Sequence, residues 1–300
     1  MKLLLTGAFN YSDENLKALS DLGMDITFLQ FEKDEVINPQ AYDAVVCNGL
    51  FLHNDIKKFT NLKHIQLTSA GFDRIDVKYC EEKGIKLFNA RGVYSVPIAE
   101  WAILKILELY KKSRKFYENE KNHNWEKERE IFELFEKTAV IVGCGSIGTE
   151  IAKRLKVFGV EIVGVDIFKP NEIYDEYFDI KDINESLKKA DIVISTVPLT
   201  EDTIELFSEE KFSLMKETAV FCNFSRGKVV NENDLIDALK NKEIYGAVLD
   251  VFETEPLDIK SPLWDMENAI VTPHNSFVGE GNQKRMFDVI LKNFINSKEV

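Results

Sequence analysis

The sequence predicts two doubly wound α/β domains. Three observations predict it. Short apolar runs alternate with amphipathic helical stretches from the first residue onward. A long helical segment from Ser95 and a polar stretch from Glu118 to Glu136 interrupt that alternation, which then resumes at Thr138. The chain has 300 residues and is 45% hydrophobic, too long for an ordinary single domain yet able to bury two cores.

In the first half, Leu3 to Leu5 reads as a strand, and Ser12 to Leu22 as a helix with Ser12 as N-cap and Gly23 as its stop. Strands follow at Ala44 to Cys47, His64 to Thr68 and Ile85 to Phe88, with a short helix from Val77 to Lys83 between the last two. From Ser95 to about Tyr117 a single helix is expected. It carries Ile98, Trp101, Ala102, Leu104, Leu107 and Leu109 around most of its circumference, and its charges gather after Lys111. Glu118 to Glu136 is charged, with isolated Trp125, Phe132 and Phe135, and reads as a loop or arm. The second half has strands at Ala139 to Val142, Ile162 to Val165, Ile192 to Thr196, Ala219 to Asn223, Ala247 to Leu249 and Ile270 to Val271. Helices fit between most of them, which is the pattern of a parallel sheet. A last helix runs from Glu280 to Ile295.

Composition narrows the functional classes. Lys and Arg number 38 against 51 Asp and Glu, a formal charge of −13, so a broad basic surface for nucleic acid is excluded and any anion must be bound locally. Cys47, Cys80, Cys144 and Cys222 are widely spaced with no C-x-x-C pair, which argues against a disulfide framework or a structural zinc site and favours a reducing cytoplasm. The apolar run after Lys2 ends at Thr6 and Gly7, too soon for a signal peptide, and no later stretch is long enough to span a bilayer.

Ala139 to Val142 runs into Gly143-Cys144-Gly145-Ser146-Ile147-Gly148, a strand entering G-x-G-x-x-G, followed by an amphipathic helix from Thr149 to Phe158. Gly143 permits a tight turn, Gly145 lets a pyrophosphate approach the backbone, and Gly148 allows helix and strand to pack closely. The N–H groups of the helix start then face the phosphates. Asp166 ends the next strand, 23 residues after Gly143, where a carboxylate can accept hydrogen bonds from ribose hydroxyls. Its charge would repel a 2′-phosphate, and Ile167 and Phe168 offer no arginine, so the cofactor expected is NAD; Lys169 is the one nearby cation. The second domain is thus expected to be Rossmann-type.

Three later segments each follow an expected strand, and ligands of open α/β sheets collect at the carboxyl ends of strands. They are Asn223-Phe224-Ser225-Arg226-Gly227, Asp250-Val251-Phe252-Glu253-Thr254-Glu255-Pro256 and Thr272-Pro273-His274. In this order they resemble the N-x-x-R-G, D-V-F-x-x-E-P and T-P-H segments of the D-isomer-specific 2-hydroxyacid dehydrogenases. Upstream, Ala70-Gly71-Phe72-Asp73-Arg74-Ile75-Asp76 looks like that family's substrate loop, and Asn89 to Glu100 like its entry into the interdomain helix.

The resemblance implies hydride transfer between NAD(H) and a 2-oxo acid or 2-hydroxy acid. Such a transfer leaves negative charge on oxygen and needs a proton donor, a role for which histidine is suited. His274 is the expected acid and base. Glu255 is the carboxylate that would favour the protonated imidazole, although Glu253 lies two residues away in the same charged loop. Arg226 would hold the substrate carboxylate and carbonyl through its planar fork. Ala70 and Gly71 would grip the carboxylate through backbone N–H groups, with Tyr94 facing the substrate. Asp250 would hydrogen-bond the nicotinamide carboxamide. The remaining cofactor contacts implied are Val197, Pro198, Thr203, Phe224 and Ser225, with Arg226 and His274 touching cofactor as well as substrate. One departure stands out: where the family places a small residue third after its histidine, this chain has Phe277.

The expected organisation is a flavodoxin-like substrate domain over 1–95, the NAD domain over 96–274, and a segment 275–300 returning to the substrate domain. Substrate would enter a cleft between them. The apolar groups of the arm point to a homodimer. Two rivals remain: an NADH-sensing binding protein without turnover, and a formate or phosphite dehydrogenase on the same scaffold. Arg226, Glu255 and His274 together argue against the first. Glu255, where formate enzymes usually place glutamine, argues against formate.

Overall fold

The structure, a computed structural model, describes residues 1–298, so the last two residues of the expected 275–300 segment lie outside the described residues. The chain forms two compact units. One comprises Met1–Tyr94 and the segment from Gly279 onward; the other is Ser95–Val278.

The first unit contains β1 (Lys2–Thr6), α1 (Asp13–Asp21), β2 (Asp25–Leu29), β3 (Ala44–Cys47), β4 (His64–Leu67), α2 (Val77–Glu82) and β5 (Lys86–Phe88). Helix α1 starts where the sequence says it should. The Ser12 Oγ accepts from the Asn15 N–H and the Asn15 side chain accepts from the Ser12 N–H, each at 3.2 Å, closing a capping box. All strand pairs are parallel, in the order β2-β1-β3-β4-β5, which is the flavodoxin-like order. Alternate residues serve opposite faces. Leu4, Val45, Ile65 and Leu67 join Leu50, Phe59 and Cys80 on one face, while Leu3, Leu5, Ala44 and Val46 meet Leu19 of α1 on the other. The C-terminal helix Asn282–Lys298 completes that second face with Met286, Ile290 and Phe294. Strand β2 was not anticipated. It is an edge strand with Asp25 and Phe28 exposed, so its hydrophobic pattern is weak.

The second unit contains α3 (Ser95–Tyr110), α4 (Ser113–Lys121), β6 (Thr138–Val142), α5 (Ser146–Val157), β7 (Glu161–Asp166), β8 (Glu176–Asp179), α6 (Ile183–Leu187), β9 (Ile192–Ser195), α7 (Glu209–Ser213), β10 (Val220–Asn223), α8 (Glu232–Lys240), β11 (Gly246–Leu249) and β12 (Ala269–Val271). Its parallel strands run β12-β11-β10-β9-β6-β7-β8. Counted from β6, that is the Rossmann order 3-2-1-4-5-6 extended by one strand, and the order reverses between β6 and β9. The glycine loop follows β6 and so opens at that reversal. Beneath it, Val140, Val142, Val163, Val165, Val193 and Phe221 fill a continuous core with Phe207 and Phe212.

The single helix expected over Ser95 to Tyr117 is two helices. Lys112 takes a left-handed backbone, φ 50°, and α4 restarts at Ser113. The expected arm is correspondingly shorter, since Glu118–Lys121 is helical and irregular chain begins at Asn122. No glycine or proline marks this break. Tertiary bonds stabilise it: Lys111 Nζ donates to the Phe132 carbonyl and Arg114 Nη1 to the Ala269 carbonyl, each at 2.7 Å. Strand β8 also escaped the sequence reading, because its Glu-Tyr-Phe-Asp pattern is half-buried throughout. Among the described residues, no helix is long and apolar enough to cross a membrane.

Candidate active site

The loop after β6 is shaped by its own backbone. Gly143 has φ +98°, and a Cβ there would lie 2.8 Å from the Thr196 carbonyl carbon. At Gly148 a Cβ would come within 2.3 Å of the Gly143 oxygen, so the helix start sits directly on the turn. The Thr196 Oγ1 donates to that same oxygen at 2.6 Å, anchoring the turn to the end of β9. A Cβ at Gly145, in contrast, would meet nothing within 4 Å. Gly145 therefore leaves open space in front of the first turn of α5, where it is N-cap and offers no side chain to the N–H groups of Ser146, Ile147 and Gly148. Asp166 is tied to this loop: its Oδ2 accepts from the Cys144 N–H at 2.6 Å and its Oδ1 from the Ile167 N–H at 2.7 Å. Burial pushes the Cys144 thiol up to about 12, which makes it an unreactive packing group within the motif.

The strand ends of β10, β11 and β12 bring the next residues together. Asn223 Oδ1 accepts from the Ser225 N–H (3.0 Å) and Oγ (2.6 Å), while Asn223 Nδ2 donates to the Arg226 carbonyl at 3.1 Å. Arg226 leaves this buried turn half-exposed, with Nη1 donating to the Ser225 carbonyl at 2.8 Å. A Cβ on Gly227 would lie 1.8 Å from the Phe252 carbonyl carbon, so the loop after β11 passes directly over the residue following Arg226. That loop carries Glu255, whose Oε1 accepts from the Phe252 N–H at 3.1 Å and whose Oε2 lies 2.8 Å from His274 Nδ1. Glu253 faces elsewhere. Its Oε1 accepts from the Glu232 N–H at 2.9 Å, and Glu232 Oε2 accepts in return from the Glu253 N–H at 3.3 Å. Of the two glutamates, Glu255 is the one on the imidazole.

His274 itself has φ 49°, a left-handed conformation that costs a non-glycine residue about 1–2 kcal/mol. The Phe277 ring stands at 88° to the imidazole with centroids 5.8 Å apart, so the bulky third residue packs on the histidine. Asp250 is only 1% exposed, and its carboxylate accepts from Thr272 Oγ1 (2.6 Å) and the N–H groups of Asn275 and Ser276 (3.0 Å each).

The other expected positions are placed as follows. In the first unit, the Ala70 carbonyl accepts from Asn89 Nδ2 at 2.6 Å and the Gly71 carbonyl from Ser69 Oγ at 2.9 Å, which fixes the loop after β4. The Tyr94 hydroxyl donates to the Thr68 carbonyl, so it braces this loop. In the second unit, Val197 and Phe224 are buried. The Thr203 hydroxyl donates to the Pro198 carbonyl at 2.7 Å, closing its own turn, and the Ser225 hydroxyl is shared between Asn223 and Ser195.

A family model, D-isomer specific 2-hydroxyacid dehydrogenase, NAD binding domain, matches residues 103–276. The chain belongs to the D-isomer specific 2-hydroxyacid dehydrogenase family. It is 33% identical to a hydroxypyruvate reductase of Thermotoga maritima over 84% of this chain and 83% of that protein. To the D-3-phosphoglycerate dehydrogenase of Methanocaldococcus jannaschii it is 34% identical over 95% of this chain but 55% of that protein, so it spans about half that relative's length. Among solved structures, D-lactate dehydrogenase from Aquifex aeolicus, complexed with NAD and lactic acid, matches with a TM-score of 0.77 at 26% identity, covering 99% of this chain and 95% of that one.

The cofactor of a 2-hydroxyacid dehydrogenase fits this loop on structural grounds. The open space at Gly145 lies where uncapped N–H groups and the positive end of α5 favour an anion. Asp166 ends β7 beside it, and its carboxylate is already held in place by backbone N–H groups. Sequence reasoning missed Thr196, which carries no motif signal of its own, and gave no role to Thr272 within its Thr272-Pro273-His274 segment; only folding shows that one hydroxyl ties the glycine turn and the other meets Asp250.

Proposed function

We propose that this dehydrogenase interconverts a small 2-oxo acid and its D-2-hydroxy acid, with the acid–base role on His274. The 2.8 Å contact between His274 Nδ1 and Glu255 Oε2 carries the reading. With Glu255 ionised, Nδ1 keeps its proton and donates it to Oε2, which leaves Nε2 as the nitrogen that exchanges a proton. NADH, when held by the glycine loop and Asp166, would supply the hydride for C2 of the oxo acid. In that direction the Nε2 proton moves to the carbonyl oxygen and the imidazole becomes neutral; in the oxidation Nε2 takes it back. Arg226 offers a planar fork to the substrate carboxylate and carbonyl, orienting them and stabilising the charge that develops on oxygen. Ala70 and Gly71 are assigned to the carboxylate through their N–H groups, with Tyr94 bracing that loop. For the cofactor, Gly143, Gly145, Ser146, Ile147 and Gly148 are assigned to the pyrophosphate and Asp166 to the ribose hydroxyls. Val197, Pro198, Thr203, Phe224 and Ser225 are left to offer backbone and apolar surface.

Glyoxylate, hydroxypyruvate and pyruvate are the first substrates to try, because relatives carry names for the reduction of the first two and the lactate enzyme shares the fold. Purified protein with NADH and each acid should consume NADH at 340 nm, and His274→Ala should lose at least about 10²-fold in kcat while still binding NADH. Turnover that survives His274→Ala would remove histidine from the mechanism.

We further propose that the protein is a cytoplasmic homodimer. Its four cysteines are free thiols, three of them buried, as a reducing compartment permits. Trp125 in the arm is 95% exposed and shares a concavity with the exposed Phe116, an apolar surface suited to a second copy.

A further inference from the structure

We propose that Asp250 is a positioning residue that holds the catalytic histidine in its left-handed conformation. The proposal rests on the reading of His274 as acid and base. His274 at φ 49° lies in a backbone region that L-residues avoid, so something must hold the loop there. Three donors flank it: the Thr272 hydroxyl two residues before, and the N–H groups of Asn275 and Ser276 immediately after. All three converge on the Asp250 carboxylate, two on Oδ1 and one on Oδ2. The His274 N–H closes the same turn onto the Thr272 carbonyl at 3.0 Å. Asp250 is itself fixed, being fully buried at the end of β11 with its N–H on the Asn223 carbonyl. The carboxylate thus wraps the chain around the histidine, and Glu255 sets the ring through Nδ1.

A carboxylate is required by the donor set. Oδ1 faces the Asn275 N–H and Oδ2 the Ser276 N–H, so an asparagine in either orientation would turn its NH2 toward a backbone N–H. About three of the carboxylate's four lone-pair sites are used inside the protein. This role is separable by experiment from the nicotinamide contact that the family resemblance implies.

Asp250→Asn and Thr272→Val would be compared with wild type in three measurements: kcat, NADH affinity by fluorescence titration, and the imidazole resonances of ¹⁵N-histidine-labelled protein without cofactor. The His274 resonance is assigned with His274→Ala. Positioning predicts that Thr272→Val, which removes one donor at nearly constant volume, lowers kcat about tenfold and leaves NADH affinity within twofold. Asp250→Asn should lower kcat by about a hundredfold. Both variants should shift or broaden the His274 signal and leave those of His53 and His123 in place. An unmoved His274 signal in both folded variants, or a loss confined to NADH affinity, would overturn the proposal. Should Asp250→Asn fail to fold, Thr272→Val decides by the same criteria. If the wild type turns over no 2-oxo acid, the functional reading fails, and the imidazole signal still decides whether Asp250 holds the histidine.

Discussion

Gly227 shows how much of this site rests on atoms that are absent. Arg226 needs a neighbour without a side chain because the Phe252 carbonyl group passes through the space a Cβ would take, with its carbon at 1.8 Å and its oxygen at 1.9 Å. Backbone cannot step aside as a flexible side chain can. Gly227→Ala must therefore push the segment from Asp250 to Glu255 outward and draw Glu255 away from His274. A displacement of about 1 Å at a catalytic group costs on the order of 10² in rate, so kcat should fall by about that factor. NADH affinity should fall less than kcat, because the glycine loop assigned to the pyrophosphate is not touched and only the nicotinamide end, at Asp250, lies in the displaced segment. Steady-state kinetics and NADH titration of the variant test this; an unchanged kcat would show that the loop yields without moving Glu255.

At the scale of elements, the C-terminal helix is bound to the first sheet through an aromatic stack with a titratable centre. The His64 ring lies between Phe88 of β5 and Phe294 of the helix, with centroids 4.7 and 4.4 Å away and planes within 24°. Burial, with a smaller contribution from Lys86, holds its pKa down from 6.5 to about 4. The folded state therefore refuses a proton that the unfolded chain accepts below about pH 6.5. By linkage, His64 contributes full stability above that pH, and the contribution is lost as pH falls from about 6.5 to about 4. A shift of this size corresponds to roughly 3 kcal/mol. His64→Phe keeps an aromatic in the stack and removes the titration. Urea unfolding at pH 7, 5.5 and 4 should show a shallower loss of stability in the variant than in wild type, and parallel losses would exclude His64 as the source.

For the whole molecule, the arm after α4 is the feature a monomer does not explain. Lys112 and Lys115 reach Glu128 Oε2 at 3.3 and 3.1 Å, which pins the arm against the start of α4. Phe116, His123, Trp125 and Arg129 line a concavity of about 760 Å³ there. Burying an indole that is otherwise solvated contributes about 2–3 kcal/mol per copy. Light scattering should give twice the 34.5 kDa chain mass for wild type. Trp125→Ala should shift the population toward the monomer at micromolar concentration. A monomeric wild type would end the dimer proposal.

Much of this protein was legible in the chain because local rules act on adjacent residues. Period-2 and period-3.6 patterns marked most strands and helices, Ser12 announced the cap of α1, and the spacing of Gly143, Gly145, Gly148 and Asp166 described a dinucleotide loop before any coordinates. Edge strands β2 and β8 and the break at Lys112 were not legible, since half-burial blurs the pattern and the bonds that stabilise the break come from residues 21 and 155 positions away. The site divides in the same way. Residue types and motif order nominated Arg226, Glu255 and His274 from sequence alone. Which glutamate meets the imidazole, why Gly227 follows the arginine, and how Asp250 gathers Thr272, Asn275 and Ser276 around a left-handed His274 were decided by tertiary structure. A hydrogen bond needs atoms within about 3 Å, and only the parallel alignment of β10, β11 and β12 brings those distant segments to one edge of the sheet.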